Sequence, residues 1–270
     1  MLLALSLVFS AQVQAAAART VLATVLNSRN QPMVDVEVDD FVVRESGQPR
    51  EVLSVHIADY PIALLIDNSG AAQGDLEDIK ATAVRFITRI GDRPVAVWTF
   101  GGQPAEVASF ADDRQTLLER VRGIAGQSDA ASPATMQAVA NAAGSIRGLG
   151  APFSSIVVLS AGGASPAGAP TALLAGILDS RAMVHVVEHR PATAVQRGGG
   201  DLQSLAGQTR GQFTSIFSSA SFQVALDRLA DQLASELMID YIVQGNAPPK
   251  EDVTVGVKIP GARVVGMGVR

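Results

Sequence analysis

The sharpest constraint on this chain is a change of pattern at Ile66. Ile62–Ile66 is an unbroken apolar run that ends at Asp67-Asn68-Ser69-Gly70. From Gln73 to Gly91 the apolar residues Leu76, Ile79, Ala83, Phe86, Ile87 and Ile90 then recur at helical spacing. The pattern reads as a buried strand, a tight turn and an amphipathic helix. In an open α/β sheet, ligands bind outside the carboxyl ends of such strands, so an Asp and a Ser placed there need a chemical reason.

The same alternation runs from Tyr60 to about Gly245. Strands are expected at Ile62–Asp67, Val95–Phe100, Glu106–Phe110, Ser155–Ser160, Met183–Glu188, Gly211–Ile216 and Met238–Val243. Helices are expected at Gly74–Ile90, Asp113–Ile124, Ala134–Arg147, Pro170–Leu178, Asp201–Gln208 and Ser221–Leu237. This is the signature of an α/β fold: a doubly wound, mostly parallel sheet with helices on both faces. The link around Phe100–Glu106, with Gly101-Gly102, is too short for a crossover, so one antiparallel edge strand is expected.

Both flanks read as β-structure. Arg19–Ile57 breaks into four short strands separated by Asn-, Pro- and Gly-rich turns, and Val253–Val269 alternates around Pro260-Gly261. Four short strands cannot bury a core alone, so the two ends are expected to combine in a small β-sandwich, with the α/β domain inserted between them. The expected division is a signal peptide over 1–18, an N-terminal β segment over 19–58, the α/β domain over 59–246 and a closing hairpin over 247–270.

Composition narrows the function classes. With 47% hydrophobic and 17% charged residues, the chain is expected to be compact rather than disordered. The net charge is −5, the only lysines are Lys80, Lys250 and Lys258, and the arginines are scattered, so there is no basic stripe for nucleic acid. Leu2–Phe9 followed by small residues resembles a signal peptide, with cleavage motifs at Val13-Gln14-Ala15 and Ala15-Ala16-Ala17. No Lys or Arg precedes that apolar stretch, which departs from the usual leader, and it is too short to span a bilayer well. The mature protein is expected to be secreted or periplasmic, with no membrane span. The chain has no cysteine, which excludes disulfides and thiolate metal sites.

Several segments, in order, resemble the von Willebrand factor type A domain, and more narrowly its bacterial exported VWFA-related group. Asp40-Phe41-Val42-Val43-Arg44-Glu45-Ser46-Gly47-Gln48-Pro49 resembles the DFxVxEdGkPQ segment of that group. Asp67-Asn68-Ser69-Gly70-Ala71 stands where its D-x-S-x-S motif belongs, and Leu205–Phe213 resembles its LAxxTGGxF segment. The resemblance implies a metal-ion-dependent adhesion site, in which hydroxyls and carboxylates from three loops hold a hard cation and a partner's acidic side chain completes the shell. Asp67 and Ser69 match, and Ser132 falls where a Thr is expected. Ala71 replaces the second Ser, however, and Ala161 the distal Asp. With those oxygens gone, the site is expected to be degenerate: no cofactor is required, and Mg²⁺ or Mn²⁺ would bind weakly or not at all. Asp67 and Ser69 would then order the turn and cap the following helix.

The resulting expectation is an exported, non-enzymatic protein that binds a protein partner at the top face of its sheet, through Asn68, Gly70, Ala71, Ala161 and Gly162. Two alternatives differ in kind. One is a haloacid-dehalogenase-like phosphatase with Asp67 as nucleophile and Ser160 as the phosphate-binding hydroxyl. The other is a scaffold with no partner site. His185 and His189 have H-x₃-H spacing, but along a strand their rings stand ~13 Å apart, too far to share a metal. They read as strand-edge histidines, and Trp98 as core.

Overall fold

The computed structural model describes residues 16–127, 134–161, 171–190, 200–244 and 253–269. The chain forms two compact units, one built from its two ends, up to His56 and from Glu236 onward, and one from Ile57–Ser235. In chain order the strands are β1 (Ala16–Leu26), β2 (Pro32–Met33), β3 (Phe41–Glu45), β4 (Gln48–Arg50), β5 (Val52–Ile57), β6 (Ile62–Ile66), β7 (Val95–Thr99) and β8 (Ala105–Ala108). They continue with β9 (Ser155–Ser160), β10 (Met183–His189), β11 (Phe213–Ile216), β12 (Glu236–Gln244), β13 (Val253–Val257) and β14 (Arg263–Val269). The α-helices are α1 (Leu76–Arg89), α2 (Arg114–Arg122), α3 (Thr135–Leu149), α4 (Thr171–Ser180), α5 (Gly200–Gln208) and α6 (Ser221–Ala234).

In the unit built from the ends, β14-β1-β12-β5 form one sheet with β2 added on β1, and β13-β3-β4 form another. Alternate residues of both sheets share one core: Val21, Ala23 and Val25 of β1, Phe41 and Val43 of β3, and Ile239 and Tyr241 of β12. Three features differ from the sequence expectation. β1 begins at Ala16, so Ala16–Ala18, assigned to the leader, pair with Gln244–Ile242 of β12. The strand expected at Met238–Val243 lies here, antiparallel to β1, rather than in the α/β sheet. β13 and β14 do not close as a hairpin on each other; β13 pairs with β3 and β14 with β1. Alternation identifies a strand, but several partners offer it an equivalent apolar face, so pattern alone does not choose among them.

The Asp40–Pro49 segment is explained within this unit. Glu45 pairs with Gln48 across a two-residue loop whose members, Ser46 and Gly47, both have positive φ, 51° and 74°. That backbone twist suits a tight hairpin, and Gly47 adopts it without steric cost. Phe41 and Val43 point into the core. Glu45, 3% exposed, forms a buried ion pair with Arg19 and a second contact of 3.4 Å with Arg50.

In the α/β unit the strand order is β11-β10-β9-β6-β7-β8. All neighbours are parallel except β8, which runs antiparallel to β7 as the short Gly101-Gly102 link requires. Every residue of β6, β7 and β9 is buried, the mark of a sheet covered on both faces. Ala63, Leu65, Trp98, Ile156 and Val158 pack in one cluster with Val139, Ala142 and Ile146 of α3, Ile177 of α4 and Leu205 of α5. α1 packs on α6, clamped by paired guanidinium–carboxylate contacts of 2.8 Å (Arg85–Asp227) and 2.6 Å (Arg89–Asp231). The chain runs from β6 outward to β7 and β8, then returns to the other side of β6 as β9. That reversal opens a crevice at the carboxyl ends of β6 and β9, where Asp67 and Ala161 stand.

Candidate functional site

β6 ends at Ile66, and the chain passes through Asp67–Ser69 and a 3-10 turn, Gly70–Ala72, before α1 starts at Leu76. Asp67 is fully buried. One carboxylate oxygen accepts the backbone N–H of Ser69 at 3.0 Å, and the other accepts that of Ala161 at 3.0 Å. The Asp67 N–H in turn donates to the carbonyl of Leu159 at 3.0 Å. The acid therefore ties the loop after β6 to the end of β9. The expected helix cap is absent: neither Asp67 nor Ser69 caps through its side chain, and α1 has Asp75 at its N-cap, also without a side-chain cap bond. The 3-10 turn sets α1 too far along the chain for residues 67–69 to reach its first N–H groups.

Asn68, expected to face a partner, is instead 5% exposed and occupied on both sides of its amide. Its Nδ2 donates to the carbonyl of Ala125 at 2.9 Å, and its Oδ1 accepts from the Gly101 N–H at 2.8 Å. Gln127 donates its N–H to the Asn68 carbonyl at 2.8 Å. Gly101 is required here by proximity: a Cβ on it would stand 2.3 Å from the Ser69 nitrogen and 2.5 Å from the Asn68 carbonyl carbon. The Asn68 side chain thus joins the loops after β6, β7 and α2, and the adjacent Asp67 side chain joins the first of these to the end of β9.

Of the remaining expected site residues, Gly70 and Ala71 are exposed, whereas Ser69 and Ala161 are buried, at 2% and 6%. Ser69 Oγ has no hydrogen-bond partner among the described residues. Ser132 and Gly162 lie outside the described residues. The same rim carries groups that the motif does not mark. His189 Nδ1 lies 3.0 Å from an Asp75 carboxylate oxygen, joining the end of β10 to the start of α1, and Glu188, 6% exposed, pairs with Arg190. An i,i+2 acid–base pair at a strand end was visible in the sequence; the Asp75–His189 contact, 114 positions apart, was not. His185 is buried rather than at an edge, and burial pushes its pKa down to about 4.

A hard divalent cation takes about six oxygens. Asp67 has both oxygens engaged by backbone N–H groups, Ser69 Oγ is one unengaged hydroxyl, and Ala71 and Ala161 supply no side-chain oxygen. No three His, Cys, Asp or Glu side chains cluster to hold a metal among the described residues. Among the described residues, the side-chain oxygens of the motif are therefore those of Asp67 and Ser69. As a phosphatase nucleophile, Asp67 would have to free a fully buried oxygen from an N–H group. No helix among the described residues is long and apolar enough to cross a membrane.

No protein-family model and no curated protein matches the chain. Solved structures do. A von Willebrand factor type A protein from Catenulispora acidiphila matches over 97% of this chain and 74% of its own, at 13% identity and a TM-score of 0.56. The vWF domain of the type V pili tip protein Mfa5 from Porphyromonas gingivalis matches over 66% of this chain and 95% of its own, at 10% identity and a TM-score of 0.51. Proximal thread matrix protein 1 from the mussel byssus, in a form with a zinc-occupied MIDAS motif, matches over 66% of this chain but 48% of its own, at 12% identity and a TM-score of 0.52. The α/β unit therefore has the von Willebrand factor type A fold.

Proposed function

We propose that this chain is an exported, non-enzymatic binding module that contacts a protein partner at the carboxyl-terminal rim of its α/β sheet, with weak or no divalent-metal binding. The observation that carries this reading is the engagement of both Asp67 oxygens by backbone N–H groups. A carboxylate committed to holding two loops together makes a rigid rim, and rigid loops on a sheet edge suit recognition by shape. The exposed part of that rim is Gly70, Ala71 and the adjoining Gln73 and Gly74, small or uncharged residues over which a partner surface can approach closely. The pilus-tip protein with the same fold is consistent with an adhesive role, and the leader-like N-terminus with export. Ser132 remains the one further hydroxyl proposed to face this rim, and Gly162 a further contact.

The test is affinity capture from periplasmic and culture-fluid fractions with the chelator EDTA present throughout. Wild type and Ala71→Arg, an exposed and fold-neutral change, serve as baits. A protein retained by wild type and lost with Ala71→Arg is expected. Retention that Ala71→Arg leaves intact, or retention that requires added Mg²⁺, would overturn the reading. Hydrolysis of a generic phosphomonoester that disappears in Asp67→Asn would replace it with the phosphatase.

A further inference from the structure

A second feature lies away from the rim, at the lateral edge of the α/β sheet. Among the described residues, β11 is the last strand of that sheet and pairs only with β10. In that ladder the carbonyls of Gln212 and Ile216 accept from Val186 and Arg190, at 2.7 and 2.8 Å. Backbone groups alternate sides along a strand, so those of Phe213 and Ser215 point outward, and no described residue bonds to them. Beside this open edge, between β11 and α6, runs a groove of about 490 Å³. Its apolar wall is Val224, Ala225 and Leu229 of α6, with Val224 52% exposed, and Phe217 just beyond β11 is 72% exposed.

The groove also has a polar identity. Arg228 is the only residue among those lining it that carries charge at neutral pH, and it makes no ion pair among the described residues. His185 forms part of the floor and is 2% exposed. Its Nδ1 accepts the Gln212 N–H at 3.3 Å, which leaves the proton on Nε2, and that nitrogen has no partner among the described residues. An open strand edge, an apolar helix wall beside it and a cation are the elements by which an extended acidic peptide is captured through strand addition. Backbone bonds to the edge supply affinity, and alternate side chains entering the groove supply selectivity.

We infer that the β11–α6 groove binds an extended acidic segment of a protein partner, which adds as a strand to Phe213 and Ser215 and directs a carboxylate to Arg228. The occupant is acidic because the only formal charge among the described lining residues is positive, and extended because the groups left open are those of a strand edge. This site is separate from the Asp67 rim and stands or falls independently of it.

The test uses the whole chain and a blocked nine-residue peptide of alternating valine and threonine with one central glutamate. Binding is followed by fluorescence anisotropy and by amide hydrogen exchange. Saturable binding is expected, with slowed exchange at Phe213 and Ser215. It should weaken at least tenfold with Arg228→Glu, or when the peptide glutamate is replaced by lysine, and vanish when alternate peptide amides are N-methylated. Ser215→Pro removes an outward donor without touching the β10 ladder and should weaken binding while leaving the melting temperature within a few degrees. Absence of binding, binding indifferent to Arg228→Glu or to N-methylation, protection confined to other strands, or occupation of this edge by a second copy of the chain would each overturn the inference.

Discussion

The backbone N–H of Ala161 donates to the Asp67 carboxylate at 3.0 Å, joining the ends of two neighbouring strands 94 positions apart. With the bond from Ser69, this makes Asp67 a cross-strand tie in the centre of the sheet. Asp67→Ala removes an ionised acceptor and orphans two buried N–H groups. A loss of about 2–4 kcal/mol in urea unfolding is expected, since each bond to a charged group contributes roughly 1.5–3 kcal/mol before relaxation. A loss under 0.5 kcal/mol would show that the tie is not structural.

Gly101 meets the backbone of Asn68 and Ser69 so closely that any side chain must displace the loop after β6. Gly101→Ala is expected to cost about 1–3 kcal/mol by overpacking. Because the obstacle is backbone rather than a flexible side chain, it should also speed amide exchange at Ser69. Unchanged melting temperature and exchange would contradict the contact.

His185 titrates at about 4 because burial disfavours its charged form, whereas the unfolded chain titrates near 6.5. Between those values the unfolded state holds more protons, so stability present above pH 6.5 is lost as the pH falls towards 4. The loss attributable to this group is roughly 3 kcal/mol. Wild type should therefore lose more stability than His185→Phe between pH 7 and pH 4, as measured by urea midpoints. Parallel pH profiles would refute this.

Glu45 is buried between Arg19 and Arg50 in the unit built from the chain ends. Glu45→Ala removes the carboxylate that the buried Arg19 and the partly exposed Arg50 share and should cost about 3–5 kcal/mol. Replacing Arg19 and Glu45 together by apolar residues should cost less than the single change, because the buried Arg19 charge is removed with its carboxylate and only the partly exposed Arg50 loses a contact. Circular dichroism during urea titration checks both.

What the sequence revealed followed from periodicity and turn chemistry. The continuous apolar runs of β6 and β9, the helical stripe of α6 and the short Gly101-Gly102 link determined the α/β layers and the antiparallel edge. Strand partnering was less legible. The apolar face of β12 suited either sheet, and only long-range pairing with β1 assigns it to the unit built from the ends. At the rim, a motif pattern marked Asp67 and Ser69, yet a residue name does not state whether its oxygens face an ion or a neighbouring N–H. Asn68 read as a contact residue because polar loop residues are usually solvated. Its burial depends on Gly101 and Ala125, 33 and 57 positions away, whose approach no local pattern encodes.

Calorimetric titration of the wild-type chain and Asp67→Ala with Mn²⁺ measures most directly whether Asp67 serves the fold or a cation. Superimposable flat traces are expected up to millimolar metal. A saturable single-site heat with a Kd below about 1 mM, abolished by Asp67→Ala, would show that the rim holds a metal after all.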